Sequence, residues 1–74
     1  MGHVGALDRE VVPALIEALK DADVSVRIEA VLALLNIGSA AQEAIPALRA
    51  ATTDMDARVR SYAAKAIEKI ERPP

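Results

Sequence analysis

Cysteine is missing from this chain altogether, so neither disulfides nor thiolate metal sites are open to it as staples or as chemistry. That absence fits a reducing compartment without proving one; a cytoplasmic location is expected from the lack of a signal or transmembrane segment. Phenylalanine and tryptophan are missing too, and Tyr62 is the only aromatic residue. Since 53% of the residues are hydrophobic, the core must be built from Ala, Val, Leu and Ile, a palette for close helix–helix packing. Three isolated glycines cannot form a phosphate-cradling loop. His3 is the only histidine, which leaves no His-based acid–base pair or metal cluster. Ser25, Ser39 and Ser61 therefore have no imidazole to activate them, and Lys65 sits among other charges instead of in an apolar pocket. The expectation is a chain that is no enzyme and holds no cofactor or metal.

Charge and hydropathy exclude further classes. A net charge of −2 and a pI near 5.2 give no global attraction to nucleic acid or an anionic membrane. The longest unbroken apolar run, Ala30 to Leu35, falls well short of the ~18 residues of a spanning helix, so no membrane partner is expected. Residues 1–5, Met1-Gly2-His3-Val4-Gly5, lack the basic and apolar regions of a signal peptide. They read as a tail, either a cloning remnant or a cut made upstream. With 74 residues there is room for one small core, and chains of this size bury only about 60% of their unfolded surface.

What the chain does contain is itself, twice. Gly5–Ala41 laid over Gly38–Pro74, an offset of 33 residues, matches without a gap. Identical pairs include Gly5/Gly38, Pro13/Pro46, Leu15/Leu48, Asp21/Asp54, Asp23/Asp56, Val26/Val59, Arg27/Arg60, Ala30/Ala63 and Ile37/Ile70. The division is a tail over 1–5, one repeat over 6–38, a second over 39–72, and a tail over 73–74.

Each unit holds two helical patterns. Val12, Leu15, Ile16 and Leu19 follow the i, i+3, i+4, i+7 spacing of a buried stripe, and Val26, Ala30, Ala33, Leu34 and Ile37 do the same. Between them, Asp21 to Ser25 is long enough only for a turn. Asp23 is placed to cap the second helix, and Asp56 to cap its counterpart. Gly38 suits the left-handed position after the first unit's second helix. Ser39 with Gln42 forms a candidate capping box for the next helix. Pro13 and Pro46 predict that regular helix starts near Glu10 and Glu43, so that each proline falls in a first turn. Pro73-Pro74 ends the last helix. The expected fold is all-α: four helices in two antiparallel hairpins, stacked as a minimal α-solenoid.

The segment from Val12-Pro13-Ala14-Leu15 through Asp21-Ala22-Asp23-Val24-Ser25-Val26-Arg27 resembles the short HEAT repeat of the phycocyanobilin-lyase-like class. Ile45-Pro46-Ala47-Leu48 and Asp54-Met55-Asp56-Ala57-Arg58-Val59-Arg60 repeat it. The resemblance covers about Ala6 to Ile70. It implies outer, convex first helices and inner, concave second helices. It also implies that Asp23 with Arg27, and Asp56 with Arg60, are rungs of a ladder linking neighbouring units. The His-Glu pairs of iron-binding HEAT-type hydroxylases are absent. The Asp21/Asp23 and Asp54/Asp56 turns lack the oxygen count and glycine of a calcium loop, so capping is the preferred reading.

One asymmetry stands out. Ile28, Leu32 and Leu35, with Val31 beside them, form a second apolar stripe on the first unit's second helix, whereas the aligned Ser61, Lys65 and Glu68 are polar. Either neighbours wrap this helix on both sides and the stripe is core, or it meets a partner. The second alternative is the one adopted, since two repeats fall short of the roughly three that solenoids usually need. Burying three such side chains would contribute about 4–9 kcal/mol before association costs. The functional expectation is a non-catalytic protein–protein scaffold, either self-associating as a homodimer or extended stack, or part of a longer solenoid. Two alternatives stand beside it. One is an accessory subunit of a bilin lyase, suggested by the family name. The other is weak nucleic-acid binding through Arg58, Lys65, Lys69 and Arg72, although Glu68 and Glu71 interleave with that stripe.

Overall fold

The computed structural model describes residues 3–72, and all its regular structure is helical: α1 (His3–Ala18), α2 (Val24–Ile37), a 3-10 segment (Gly38–Ala44), α3 (Ile45–Ala51) and α4 (Ala57–Glu71). Short turns join α1 to α2 and α3 to α4, so each unit is an αα-hairpin. The expected set of four separate helices is not what forms. From Val24 to Ala51 helical segments follow one another with no loop between them, kinked at Gly38 and Ala41, so loop-separated helical stretches number three among the described residues. The middle stretch turns at Gly38, where φ is 72° and ψ −140°, a region essentially closed to residues with a Cβ. The Gly38 N–H still donates to the Leu34 carbonyl and closes α2.

The two prolines do different things. In the second unit an irregular lead-in forms: Ala41 leaves helical geometry (φ −100°, ψ 31°), and Pro46 sits in the first turn of α3, where no N–H bond is needed. In the first unit the expectation fails. α1 starts at His3, and Pro13 lies inside it. Interior proline forfeits one backbone bond and crowds the preceding turn. The helix persists because its neighbours bury Val12 and Leu19, and tertiary packing outweighs propensity in short helices. Arg72 turns extended (φ −68°, ψ 129°), the conformation favoured before proline. Pro73, Pro74, Met1 and Gly2 lie outside the described residues.

Alanine makes up nearly half of the core: Ala30, Ala41, Ala44, Ala51, Ala63 and Ala66 are buried along with the larger Val12, Leu19, Val31, Leu34, Leu48, Val59 and Ile70. Small side chains let the backbones approach, and the larger ones carry most of the burial energy, about 1.5–3 kcal/mol each. α4 packs against α2, α3 and the 3-10 segment, and α1 against α2. The hairpins therefore share one core, in a chain whose principal extents are 39 × 27 × 16 Å.

The segment Val24–Ala51 also changes the membrane reading. Counted as unbroken runs its apolar residues are few, yet over an 18-residue window it averages a hydropathy of 1.5, long and apolar enough by composition to cross a bilayer. The turn at Gly38 divides it into α-helices of 14 and 7 residues. At 1.5 Å per residue neither part reaches the ~30 Å of a hydrocarbon core.

Candidate functional site

The turns between paired helices are built from Asp-x-Asp sequences, and the two aspartates of each turn have separate tasks. Asp23 caps α2, its carboxylate accepting from the Ser25 N–H at 2.8 Å. Asp56 caps α4, accepting from Arg58 N–H at 2.8 Å and Val59 N–H at 3.4 Å. A side-chain hydrogen bond from Arg58, aided by these backbone donors, holds the Asp56 carboxyl down to about 2 from its ordinary 3.8. The same contact raises the Arg58 guanidinium.

The first aspartate of the second turn joins the units. Asp54 receives Arg27 from the first unit, with Nη2 donating to Oδ1 at 3.3 Å. Arg27 Nε lies 2.9 Å from Oδ2, as an ion pair too bent to count as a hydrogen bond, and finds no other acceptor. Both side chains are largely shielded, at 17% and 13% exposure, so water screens this pair less than a surface one. Arg27 Nη1 meanwhile donates to the Asp21 and Ala22 carbonyls at 2.7 and 3.2 Å, which fixes the guanidinium over its own turn. Arg60 repeats that clamp on the Asp54 and Met55 carbonyls, at 2.7 and 3.1 Å.

The rung thus differs from the expected one. Arg27 and Arg60 sit in equivalent places, but the carboxylate that spans the units is Asp54, while Asp23 and Asp56 are occupied with capping. An N-cap aspartate points its oxygens along its own helix, which leaves the aspartate two residues earlier free to reach the neighbouring unit. The candidate Ser39–Gln42 capping box does not form either. No side chain caps the 3-10 segment, and Gln42 Nε2 donates instead to the Ile70 carbonyl at 2.9 Å, satisfying an open acceptor at the end of α4. Nothing in local sequence spacing marks that contact, which spans 28 residues.

The Ile28–Val31–Leu32–Leu35 stripe is divided by the structure. Val31 is fully buried inside the chain, and half-buried Ile28 and Leu35 pack against the core. The cause is geometric: this side of α2 faces α4. Leu32 is half-buried and stands outside the group packed on that core. Conversely Val26, Ala33 and Ile37, expected in the core stripe, keep part of their surface open.

Of the basic stripe Arg58, Lys65, Lys69 and Arg72, the two arginines are in ion pairs and the two lysines are exposed. Arg58 pairs with Asp56 at 3.0 Å and Arg72 with Glu68 at 3.1 Å. Arg49 joins α3 to Glu71 at 2.8 Å. Two shallow open recesses flank the Arg27–Asp54 pair, lined chiefly by Leu19, Lys20, Ala51, Asp54 and Met55. Among the described residues no three His, Cys, Asp or Glu side chains cluster in a way that could hold a metal ion.

The sequence repeat, the paired hairpins and the arginine–aspartate link between units converge with the comparisons. A family model described as HEAT repeats matches residues 2–68. Neither the curated proteins nor the solved structures gave a match. HEAT repeats generally mediate protein–protein interaction or scaffolding, and the family is typically non-enzymatic. With nearly its whole length matched by that model, this chain belongs to the HEAT-repeat family.

Proposed function

We propose that this chain is a non-catalytic, cytoplasmic protein-interaction module of two HEAT repeats, and that it acts by self-association. The observation that carries the reading is uneven cover. Val11 is 40% exposed in the first unit, while its counterpart Ala44 in the second unit is fully buried. An apolar surface that one unit buries under its neighbour is left open on the other. Two repeats rich in buried alanine supply little burial energy by themselves, so a further copy has much to add.

Mass action supplies the test. If folding and self-association are linked, the melting temperature rises with chain concentration, because anything that binds only the folded state stabilises it. A melting temperature that stays constant from low to high micromolar concentration refutes the reading.

A further inference from the structure

The ungapped 33-residue correspondence allows each position to be compared with its counterpart in the other unit. On one side of the first unit the residues lose cover relative to the second. Val11 is exposed and Leu15, Val26 and Ala33 are half-buried, whereas Ala44, Leu48, Val59 and Ala66 are fully buried. Val26 and Ala33 stand on α2 as Val59 and Ala66 stand on α4, while Val11 and Leu15 lie on continuous α1 and Ala44 and Leu48 on the 3-10 segment and α3. The first unit packs on the second through α1 and α2 against the 3-10 segment, and nothing among the described residues packs on the first in that way.

The opposite end shows the reverse pattern and a different chemistry. Val31 is buried and Ile28 and Leu35 pack on the core, while their counterparts Ala64, Ser61 and Glu68 are exposed. Glu68 is held in an ion pair with Arg72, and Lys65 stands beside it exposed. That end has the polar outer face of a solenoid cap. The chain is thus polarised, with an apolar end at Val11–Leu15–Val26–Ala33 and a capped end at Ser61–Lys65–Glu68.

Resting on the self-association proposed above, we infer that two copies pair through their apolar ends about a twofold axis. Head-to-tail stacking would press Ser61, Lys65 and Glu68 against Val26 and Ala33, which strips charges of water without pairing them. The only apolar end a second copy can offer is the same one, and a surface that meets itself closes as an isologous dimer.

The test uses sedimentation of the full chain and of charged variants at matched positions. Val11→Glu, on an exposed helical position, is expected to weaken the dimer roughly tenfold or more, as a charge buried at an interface centre does, with helicity retained. Ala64→Glu at the capped end leaves it unchanged. Because the chain has no cysteine, single-cysteine variants give a second readout that does not depend on charge. Ala33→Cys should join two copies through a short bismaleimide, and Ser61→Cys should not. A dimer that survives Val11→Glu but dissociates with Leu32→Glu or Ala64→Glu, or that crosslinks through Ser61→Cys alone, overturns the interface and leaves self-association standing. A monomeric parent chain overturns both.

Discussion

Removing the Arg27–Asp54 pair tests how the two units are joined. Arg27→Ala deletes an ion pair whose side chains are 17% and 13% exposed, together with two bonds to carbonyls of its own turn. Hydrogen bonds to charged groups are worth about 1.5–3 kcal/mol, and a half-desolvated carboxylate left alone adds its own penalty, so a loss of about 2–4 kcal/mol is expected. Asp54→Ala costs a similar amount, since Asp54 also accepts from the Asp56 N–H at 2.9 Å. The double variant should lose less than the sum by about 1–2 kcal/mol, the coupling of a shielded pair in direct contact. Urea melts followed by circular dichroism give all the free energies needed. Asp23→Ala serves as control: it should cost about 1 kcal/mol as a lost cap and show no coupling to Arg27. Coupling between Arg27 and Asp23, with none to Asp54, would refute the assignment of the rung.

Other outcomes follow from single positions. Leu34→Ala, at a fully buried site, should cost about 3–4 kcal/mol and lower the melting temperature by about 12 °C or more, measured calorimetrically, whereas Leu32→Ala costs about 1 kcal/mol. Gly38→Ala should destabilise by about 1–3 kcal/mol because of its backbone angles. An added Cβ would meet Lys69 Cε only at an ordinary 3.7 Å, so trimming Lys69 to alanine in the same chain should not restore stability in a thermal melt. Asp56 gives an acid dependence of known sign. Its carboxyl is depressed from 3.8 to about 2, so its contribution is complete above about pH 4 and is lost as pH falls toward 2. Asp56→Ala should flatten that part of the stability–pH curve, read by acid titration of ellipticity.

The repeat, the hairpins, the caps at Asp23 and Asp56 and the positive φ of Gly38 were legible because each depends on residues close in sequence. Pro46 was legible for the same reason: its own turn decides where α3 starts. Pro13 was not, because packing of Val12 and Leu19 carries helix through a residue that local rules would place at its start. Asp54 and Asp21 are identical in local context, and only the stacking of one hairpin on the next makes Asp54 the partner of Arg27. Cover is non-local in the same way. Helical spacing placed Ile28, Val31 and Leu35 on one stripe, but it is α4 that turns the stripe into core and leaves Val11 and Val26 to the surface.

Sedimentation equilibrium of the unmodified chain at micromolar concentration tests the central claim most directly. The expected result is a mass of two chains in reversible exchange with one. A folded, cooperatively melting monomer with no tendency to associate would contradict it.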